Sequence, residues 1–477
     1  MCAEQQPFDR FFRLSPPGVD VEAIRQHWQA LGPAYPVASR HLPLPVWARR
    51  GFTDTGAQAW KTLCQDLGTS PEAASAAPSG ASAAVGPPGP RSARAFCIYV
   101  HIPFCASRCA FCDCYSFALR RHRARHVDTY LGLLAQELRL WHPLDNLSLR
   151  PVSTVHFGGG TPTLLGAEPF SRLVQNLRQS YNAGPGTEWA LESTTSELTP
   201  EMLLTLETLG FTRLHVGVQS LQNDVRQAIG RREPATTVLT KIAAAVRAGW
   251  IVSVDLIVGL PGQTLSGALQ DIRALEAVGV DGFSLYELQL SSQNRRFAER
   301  HGLAEQNPLH NYLLFQAASR CLASLGYQRT LFNHFARDRD TNLYFTFPER
   351  GEDCLALGTI ADGVFGDYHY RHPEYKTYCR EMDGALPGLQ GGLRRNAIEN
   401  LLHPLEVALL SGRLPVRLFS DRLGTARANK LFHLWQESAM VKREAGSGVL
   451  GLTTNGSWFA GNMMEQLAQL AGASDRR

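Results

Sequence analysis

An α/β fold built as a partial (β/α)6 TIM-like barrel, followed by a smaller helical, winged-helix-like domain, is what this sequence predicts. Three observations predict it. After residue 95, short apolar runs of strand length recur with room for a helix between each pair. The stretches between them carry helix caps and a 3.6-residue apolar period. Four cysteines, Cys105, Cys109, Cys112 and Cys114, crowd just past the first run, at the strand end where such barrels carry their chemistry.

Residues 1–68 have weak periodicity and read as an N-terminal arm. From 69 to 94 the chain turns to Pro, Ala, Gly and Ser (PEAASAAPSGASAAVGPPGP), a composition that buries too little apolar surface to offset the entropy of ordering, so this stretch reads as a flexible linker. The apolar runs of the 95–390 catalytic domain are Cys97–Ile102, Val152–Phe157, Trp189–Glu192, Arg213–Val218, Val252–Val258 and Gly282–Glu287. One unit reads closely: Thr199 is the N-cap, Pro200 opens the helix, Met202, Leu203, Leu206 and Leu209 form its apolar stripe, and Gly210 stops it. A second unit runs from Thr236 through Ile242, Ala245 and Val246 to Gly249, then into the next strand. From about Glu399 the pattern becomes helical at Pro404–Leu410, Phe419–Leu423 and Ala428–Ser438. A Val449–Thr453 run and a last helix complete a C-terminal domain over 391–477.

The 477 residues hold 47 basic and 43 acidic side chains, a net charge of +4. No strong field therefore points to nucleic acid or to a membrane surface. The cluster Arg120, Arg121, His122, Arg123, Arg125 and His126 reads as a solvated helix face. Met1 to Leu14 lacks the basic flank and apolar core of an export signal, and no long apolar stretch predicts a membrane span, so a soluble, cytoplasmic protein is expected. Ten cysteines in a chain of this length are too sparse for a disulfide framework, and their local crowding reads as metal binding.

In Tyr99-Val100-His101-Ile102-Pro103-Phe104-Cys105-Ala106-Ser107-Arg108-Cys109-Ala110-Phe111-Cys112, three thiolates share a CxxxCxxC loop at a strand end. Three soft ligands hold three irons of a [4Fe–4S] cubane and leave the fourth iron open to an outside chelator. The competing reading, a structural zinc site, wants four closed ligands and usually Cx₂C pairs. Cys114 extends the run to CxxxCxxCxC, and it is expected near the cluster without ligating it.

The run YVHIPFCxxxCxFCxC resembles the oxygen-independent coproporphyrinogen III dehydrogenase family of radical S-adenosylmethionine (SAM) enzymes, and the similarity extends over most of residues 96–470. The resemblance implies a radical SAM barrel, a [4Fe–4S] cluster on Cys105, Cys109 and Cys112, and SAM as the chelator of the open iron. Gly158-Gly159-Gly160-Thr161-Pro162 resembles the element that contacts the SAM amino group. By the same resemblance Glu192 faces SAM, Gln219 bonds near the ribose, Arg231 pairs with the SAM carboxylate and Asp255 accepts from ribose hydroxyls. Tyr99 and Phe111 flank the cluster loop as candidates for packing on adenine or substrate. Phe335, Ala336 and Arg337 resemble a stretch on the substrate side, with Arg337 the candidate cation for an anionic substrate group. Gly358, in Leu357–Gly363, resembles a turn beside a second SAM in relatives that bind two molecules.

The chain departs from the porphyrinogen enzymes at Tyr35–Arg40, at the linker, and between Arg337 and Leu357, where it reads DRDTNLYFTFPERGEDCLA. Relatives on this scaffold include class C radical SAM methyltransferases. The reading adopted is C-methylation or a related carbon transfer such as cyclopropanation on an aromatic, heteroaromatic, quinone or tetrapyrrole substrate. Oxidative decarboxylation of coproporphyrinogen III propionates to vinyls is the alternative, and a heme chaperone is the non-enzyme alternative. The resemblance also implies a small planar substrate and a reductant such as flavodoxin or ferredoxin.

Overall fold

Runs such as Ile-Val-Ser-Val-Asp-Leu-Ile-Val place apolar side chains on both faces of a strand, the pattern of parallel strands covered by helices. The computed structural model describes residues 43–68, 94–119, 123–144, 147–291, 294–304, 308–382, 386–444 and 446–472. Numbered among themselves, its barrel strands are β1 Phe96–Ile102, β2 Val152–Gly159, β3 Glu188–Ser193, β4 Arg213–Gln219, β5 Ile251–Val258, β6 Gly282–Glu287, β7 His334–Ala336 and β8 Asp353–Leu357. They pair in the order β8-β1-β2-β3-β4-β5-β6-β7. Neighbours from β8 through β6 run parallel, and β7 alone runs antiparallel to β6. The six runs read from the sequence are β1 to β6.

Helices between the strands cover the outer face as the caps predict. The Thr199 side chain accepts from the Met202 amide at 3.1 Å at the start of Pro200–Thr208. Ala235–Arg247 turns its Val238, Ile242 and Ala245 onto the sheet. Outer-facing strand residues such as Val155, Phe157, Leu191, Leu214, Val252 and Val254 are fully buried beneath such helices. Of the predicted basic face, Arg123 and Arg125 are exposed on helix Arg123–Trp141; residues 120–122 lie outside the described residues.

Between β7 and β8 the chain crosses the barrel. Ala336 is level with Gly282 at the start of β6, and Asp353 is level with Phe96 at the start of β1. Residues 337–352 therefore pass under the N-terminal strand ends, and their short helix Leu343–Thr346 packs against β2. The stretch that departs from the porphyrinogen enzymes is the barrel floor.

On the β8 side, the sheet continues through the antiparallel strands Asp362–Phe365, Tyr368–Arg371, Gly391–Arg394 and Asp54–Thr55. The described part of the N-terminal arm thus joins the main sheet, with helix Gly56–Asp66 burying Trp60 edge-on against Trp141. The boundary drawn at 391 cuts this sheet; the helical portion begins with Ala397–Ser411, capped by Asn396. Helices Val416–Leu423 and Thr425–Glu437 follow, with a three-stranded antiparallel sheet of Arg413–Pro415, Val449–Leu452 and Val441–Arg443 and a final helix Ala460–Leu470. That is a winged-helix-like arrangement. The 69–94 linker apart from Arg94, and the Tyr35–Arg40 stretch, lie outside the described residues. Among the described residues, no helix is long and apolar enough to cross a membrane.

Candidate active site

The cysteine loop leaves the C-terminal end of β1 through a clamped base. Phe104–Cys105 pairs with Phe117–Ala118, and the Leu119 amide donates to the Cys105 carbonyl at 2.9 Å. Buried Phe104 meets Phe117 and Tyr130 edge-on, at ring separations of 5.3 and 5.4 Å. Loop ends fixed in this way keep the thiols together, since fewer backbone freedoms remain to be lost on binding. Cys105, Cys109 and Cys112 are half-buried along the loop. Among the described residues, no three His, Cys, Asp or Glu side chains are already closed on one metal point. A hydrogen bond from Cys114 brings the Cys112 thiol down to about 7, helped by the Arg231 and Arg108 charges, whereas burial raises Cys105. A thiolate is the ligating form, so this electropositive setting suits iron.

The triple glycine packs against that loop. Gly160 and Thr161 donate their amides to the Ile102 and Phe104 carbonyls, each at 2.7 Å. A Cβ on Gly160 would stand 2.6 Å from the Phe104 carbonyl oxygen, and one on Gly159, whose φ is +103°, would stand 2.5 Å from the His101 ring. Only glycine allows this approach. The Thr161 hydroxyl reaches Cys105 Sγ at 3.6 Å.

Glu192, at the end of β3, links loop and barrel. Its Oε2 accepts from the Gly159 amide at 3.3 Å, and its Oε1 lies 3.0 Å from His156 Nε2 on β2. Asp255 on β5 stands close enough to feel the Glu192 charge; burial, then that charge, pushes its carboxyl up to about 7. Gln219 ends β4 at a bulge, with φ +70° and a buried Oε1 that has no partner among the described residues. A strained residue at a strand end with an unmet acceptor is suited to a ligand. Arg231 donates to the Gly217 carbonyl at 3.0 Å and lies 5.7 Å from the Phe111 ring.

The structure therefore gathers Cys105, Cys109, Cys112, Gly158–Thr161, Glu192, Gln219, Arg231 and Asp255 at one end of the barrel, while Tyr99 lies lower on β1, level with His156, and stacks on Tyr344 at 5.2 Å. Phe111 serves as an anchor: its ring sits under Arg231 and its carbonyl accepts from Asn294 at 3.1 Å. Two expectations need correction. Arg337 lies outside the barrel, 2.7 Å from Glu276 and over the Tyr327 ring at 4.6 Å. Because β7 runs antiparallel, the residue after it emerges at the barrel's far end from the cysteines. Gly358 has its amide taken by Glu137 at 2.9 Å, and a Cβ there would stand 2.3 Å from the Tyr130 hydroxyl. Both its donor and its open face are used by protein, so it is a packed turn.

Sequence reading missed the side chains beneath the rim. Buried His101 bonds the Tyr99 hydroxyl and the Tyr115 carbonyl, each at 3.1 Å, and burial pushes it down to about 4. The Tyr344 ring, from the floor, stacks on His156 at 4.4 Å and on Tyr99 at 5.2 Å. His215 is buried, and burial with the Arg213 charge keeps it neutral. The alternation of strand side chains was the available clue: His156 stands two residues before Gly158, on the same face.

Residues 99–275 match the Radical SAM superfamily, whose members use a [4Fe–4S] cluster and SAM. The chain is 28% identical over 382 residues to anaerobilin synthase of Escherichia coli O157:H7, covering 78% of this chain and 84% of that protein. It is 30% identical over 336 residues to oxygen-independent coproporphyrinogen III oxidase of Salmonella typhimurium, covering 65% and 72%. Heme chaperone HemW of Mycobacterium tuberculosis is 28% identical over 350 residues, covering 72% and 87%. The solved coproporphyrinogen III oxidase of Escherichia coli superposes with a TM-score of 0.69 at 25% identity, covering 79% of this chain and 91% of that one. With this barrel, this cysteine loop and these relatives, the chain belongs to the oxygen-independent coproporphyrinogen III oxidase family of radical SAM enzymes.

Proposed function

We propose that this protein modifies a tetrapyrrole, transferring a methyl-derived carbon onto its ring system. Two of the relatives carry names that concern coproporphyrinogen III and heme, both tetrapyrroles, and below the rim the flat rings of Tyr99, His156 and Tyr344 stack on one another. Cys105, Cys109 and Cys112 would hold the cluster, with Cys114 beside them. When bound, the cluster supplies the electron that splits SAM into methionine and a 5′-deoxyadenosyl radical. The Gly158–Thr161 backbone, Glu192, Gln219, Arg231 and Asp255 would hold SAM over that end of the barrel. These stacked rings would keep water away from below, which protects a carbon radical from side reactions.

The observation that favours carbon transfer over decarboxylation is the barrel floor: the stretch after Arg337 that departs from the porphyrinogen enzymes crosses under the strands and brings the Tyr344 ring onto His156 and Tyr99. Decarboxylation stays in view as the second reading because of the 30% identity to an oxidase of which 72% is covered. The test is anaerobic incubation of reconstituted, dithionite-reduced protein with SAM and either iron protoporphyrin IX or coproporphyrinogen III. Consumption of a tetrapyrrole with formation of S-adenosylhomocysteine supports the proposal. Vinyl formation with release of carbon dioxide and no S-adenosylhomocysteine replaces it with the second reading.

A further inference from the structure

Between Cys105 and Cys109 the cysteine loop meets solvent: Ala106, Ser107 and Arg108 are exposed, and the two cysteines on either side are half-buried. The segment that follows β6 holds this loop from the side. Fully buried Asn294 donates to the Phe111 carbonyl at 3.1 Å, and the Ser291 hydroxyl donates to Asp113. The Arg108 guanidinium lies over the Phe297 ring at 4.6 Å, and Ala110 shares a small apolar cluster with Ala298 and Leu303. The loop and the short helix Arg295–Arg300 therefore form one continuous surface.

That surface is basic, and its charges are unpaired. Arg108, Arg296 and Arg300 are exposed, and among the described residues none of the three has an acidic partner. Exposed arginines elsewhere are held by carboxylates, as Arg172 is by Glu168 at 2.9 Å and Arg371 by Asp362 at 2.5 Å. The helix carries one carboxylate, Glu299, and the loop carries one, Asp113, which Ser291 engages. Arg300 Nε donates to the Arg296 carbonyl at 3.1 Å, which sets the two side chains beside each other. Like charges four residues apart weaken a helix, so folding gives no reason for this pair, whereas an acidic partner does.

We propose that Arg108, Arg296, Arg300 and the Phe297 ring form the docking site of an acidic, flavin-carrying one-electron protein of the flavodoxin kind, the source of the electron that the cluster requires. The inference rests on the radical SAM assignment and is independent of the substrate. Electron tunnelling falls off steeply with distance, so a donor protein has to reach the outward edge of the cysteine loop, and the unpaired guanidinium groups stand at that edge. Carboxylates around the donor's flavin complement them, which steers the encounter and fixes its orientation. Phe297, half-buried beside the three arginines, gives a flat apolar contact for the exposed edge of the flavin ring. In the step itself the reduced flavin loses one electron and the cluster on Cys105, Cys109 and Cys112 gains it, and no bond of this chain forms or breaks.

The test uses reconstituted holoprotein and reduced bacterial flavodoxin under anaerobic conditions. Arg296→Glu with Arg300→Glu reverses two charges of the patch; Arg108 is left in place because its charge also acts on Cys112. Arg139→Glu with Arg247→Glu makes the same change in net charge at exposed positions in the last turns of helices Arg123–Trp141 and Ala235–Arg247, at the opposite end of the barrel. Biolayer interferometry reads association, and stopped-flow absorbance reads reduction of the cluster by flavodoxin or by dithionite, which needs no docking. The patch variant should associate with flavodoxin about tenfold more slowly at low ionic strength, the lower end of electrostatic steering, and the difference should shrink as salt rises. Its iron content and dithionite-driven reduction should match wild type, and the control variant should associate within about twofold of wild type. Flavodoxin that neither binds nor reduces the wild-type protein, or equal slowing in the two variants, overturns the docking site. If the patch variant loses iron, Arg296→Gln with Arg300→Gln takes its place and should slow association about threefold; association at the wild-type rate overturns the proposal there too.

Discussion

His156 Nε2 lies 3.0 Å from Glu192 Oε1, while the second oxygen of that carboxylate accepts from the Gly159 amide. One carboxylate thus joins a buried imidazole of the barrel to the glycine turn that faces the cysteine loop. The Tyr344 ring covers the other side of the imidazole at 4.4 Å, so the floor of the barrel sets the position of a group at its rim.

Glu192→Ala and Arg231→Ala should weaken SAM binding without loss of iron. A hydrogen bond to a charged group contributes roughly 1.5–3 kcal/mol, so the dissociation constant should rise about tenfold to a hundredfold. Equilibrium dialysis with labelled SAM beside an iron assay checks this. Normal SAM affinity in both variants would remove these residues from the binding site.

Gly159→Ala should destabilise the protein by about 2 kcal/mol or more, since a side chain at positive φ costs about 1–2 kcal/mol by itself and its Cβ would stand 2.5 Å from the His101 ring. Gly184→Ala meets nothing within 4 Å and should change stability by no more than about 0.5 kcal/mol. Urea unfolding of the pair reads the difference. Equal midpoints would mean that the glycine turn does not need its close approach.

Acid should loosen the N-terminal segment. Trp47 stacks on His369 at 3.6 Å, and His369 Nε2 accepts from Arg395 at 3.1 Å. Burial, then the Arg395 charge, pushes His369 from 6.5 down to about 2. The folded value lies below the unfolded one, so the unfolded chain takes up the proton first. The stabilisation is complete above about pH 6.5 and is lost progressively as pH falls toward the folded value. The apparent unfolding midpoint followed by tryptophan fluorescence should therefore drop between pH 7.5 and 5; a flat or rising profile contradicts a neutral His369.

Replacement of Cys105, Cys109 or Cys112 by Ala should abolish the cluster absorbance and iron content after anaerobic reconstitution, whereas Cys114→Ser should retain about four irons per chain. A Cys114→Ser protein that holds no iron would reassign the ligands.

Much of this was legible before any coordinates. The outward faces of strands β1 to β6 are apolar and helix-length stretches separate them, which points to a parallel sheet covered by helices, and the cysteine spacing and triple glycine sit at the strand ends. What the sequence hid follows from geometry. His334–Ala336 is too short and polar to read as a strand, and with it the antiparallel turn that sends Arg337 to the far end was invisible. His156, His215 and Ser284 stand inside runs read for their apolar content, so their shared inward face appears only once the registers are known. Asp340 and Tyr344 sit in a stretch without periodicity, and only the crossing from β7 to β8 brings them under the site.

The most direct measurement of the proposed chemistry follows the methyl group of SAM. With CD₃-labelled SAM and iron protoporphyrin IX under anaerobic reducing conditions, carbon transfer predicts deuterium in both 5′-deoxyadenosine and the tetrapyrrole product, together with S-adenosylhomocysteine. A tetrapyrrole product free of deuterium, with carbon dioxide released and no S-adenosylhomocysteine above background, would contradict it.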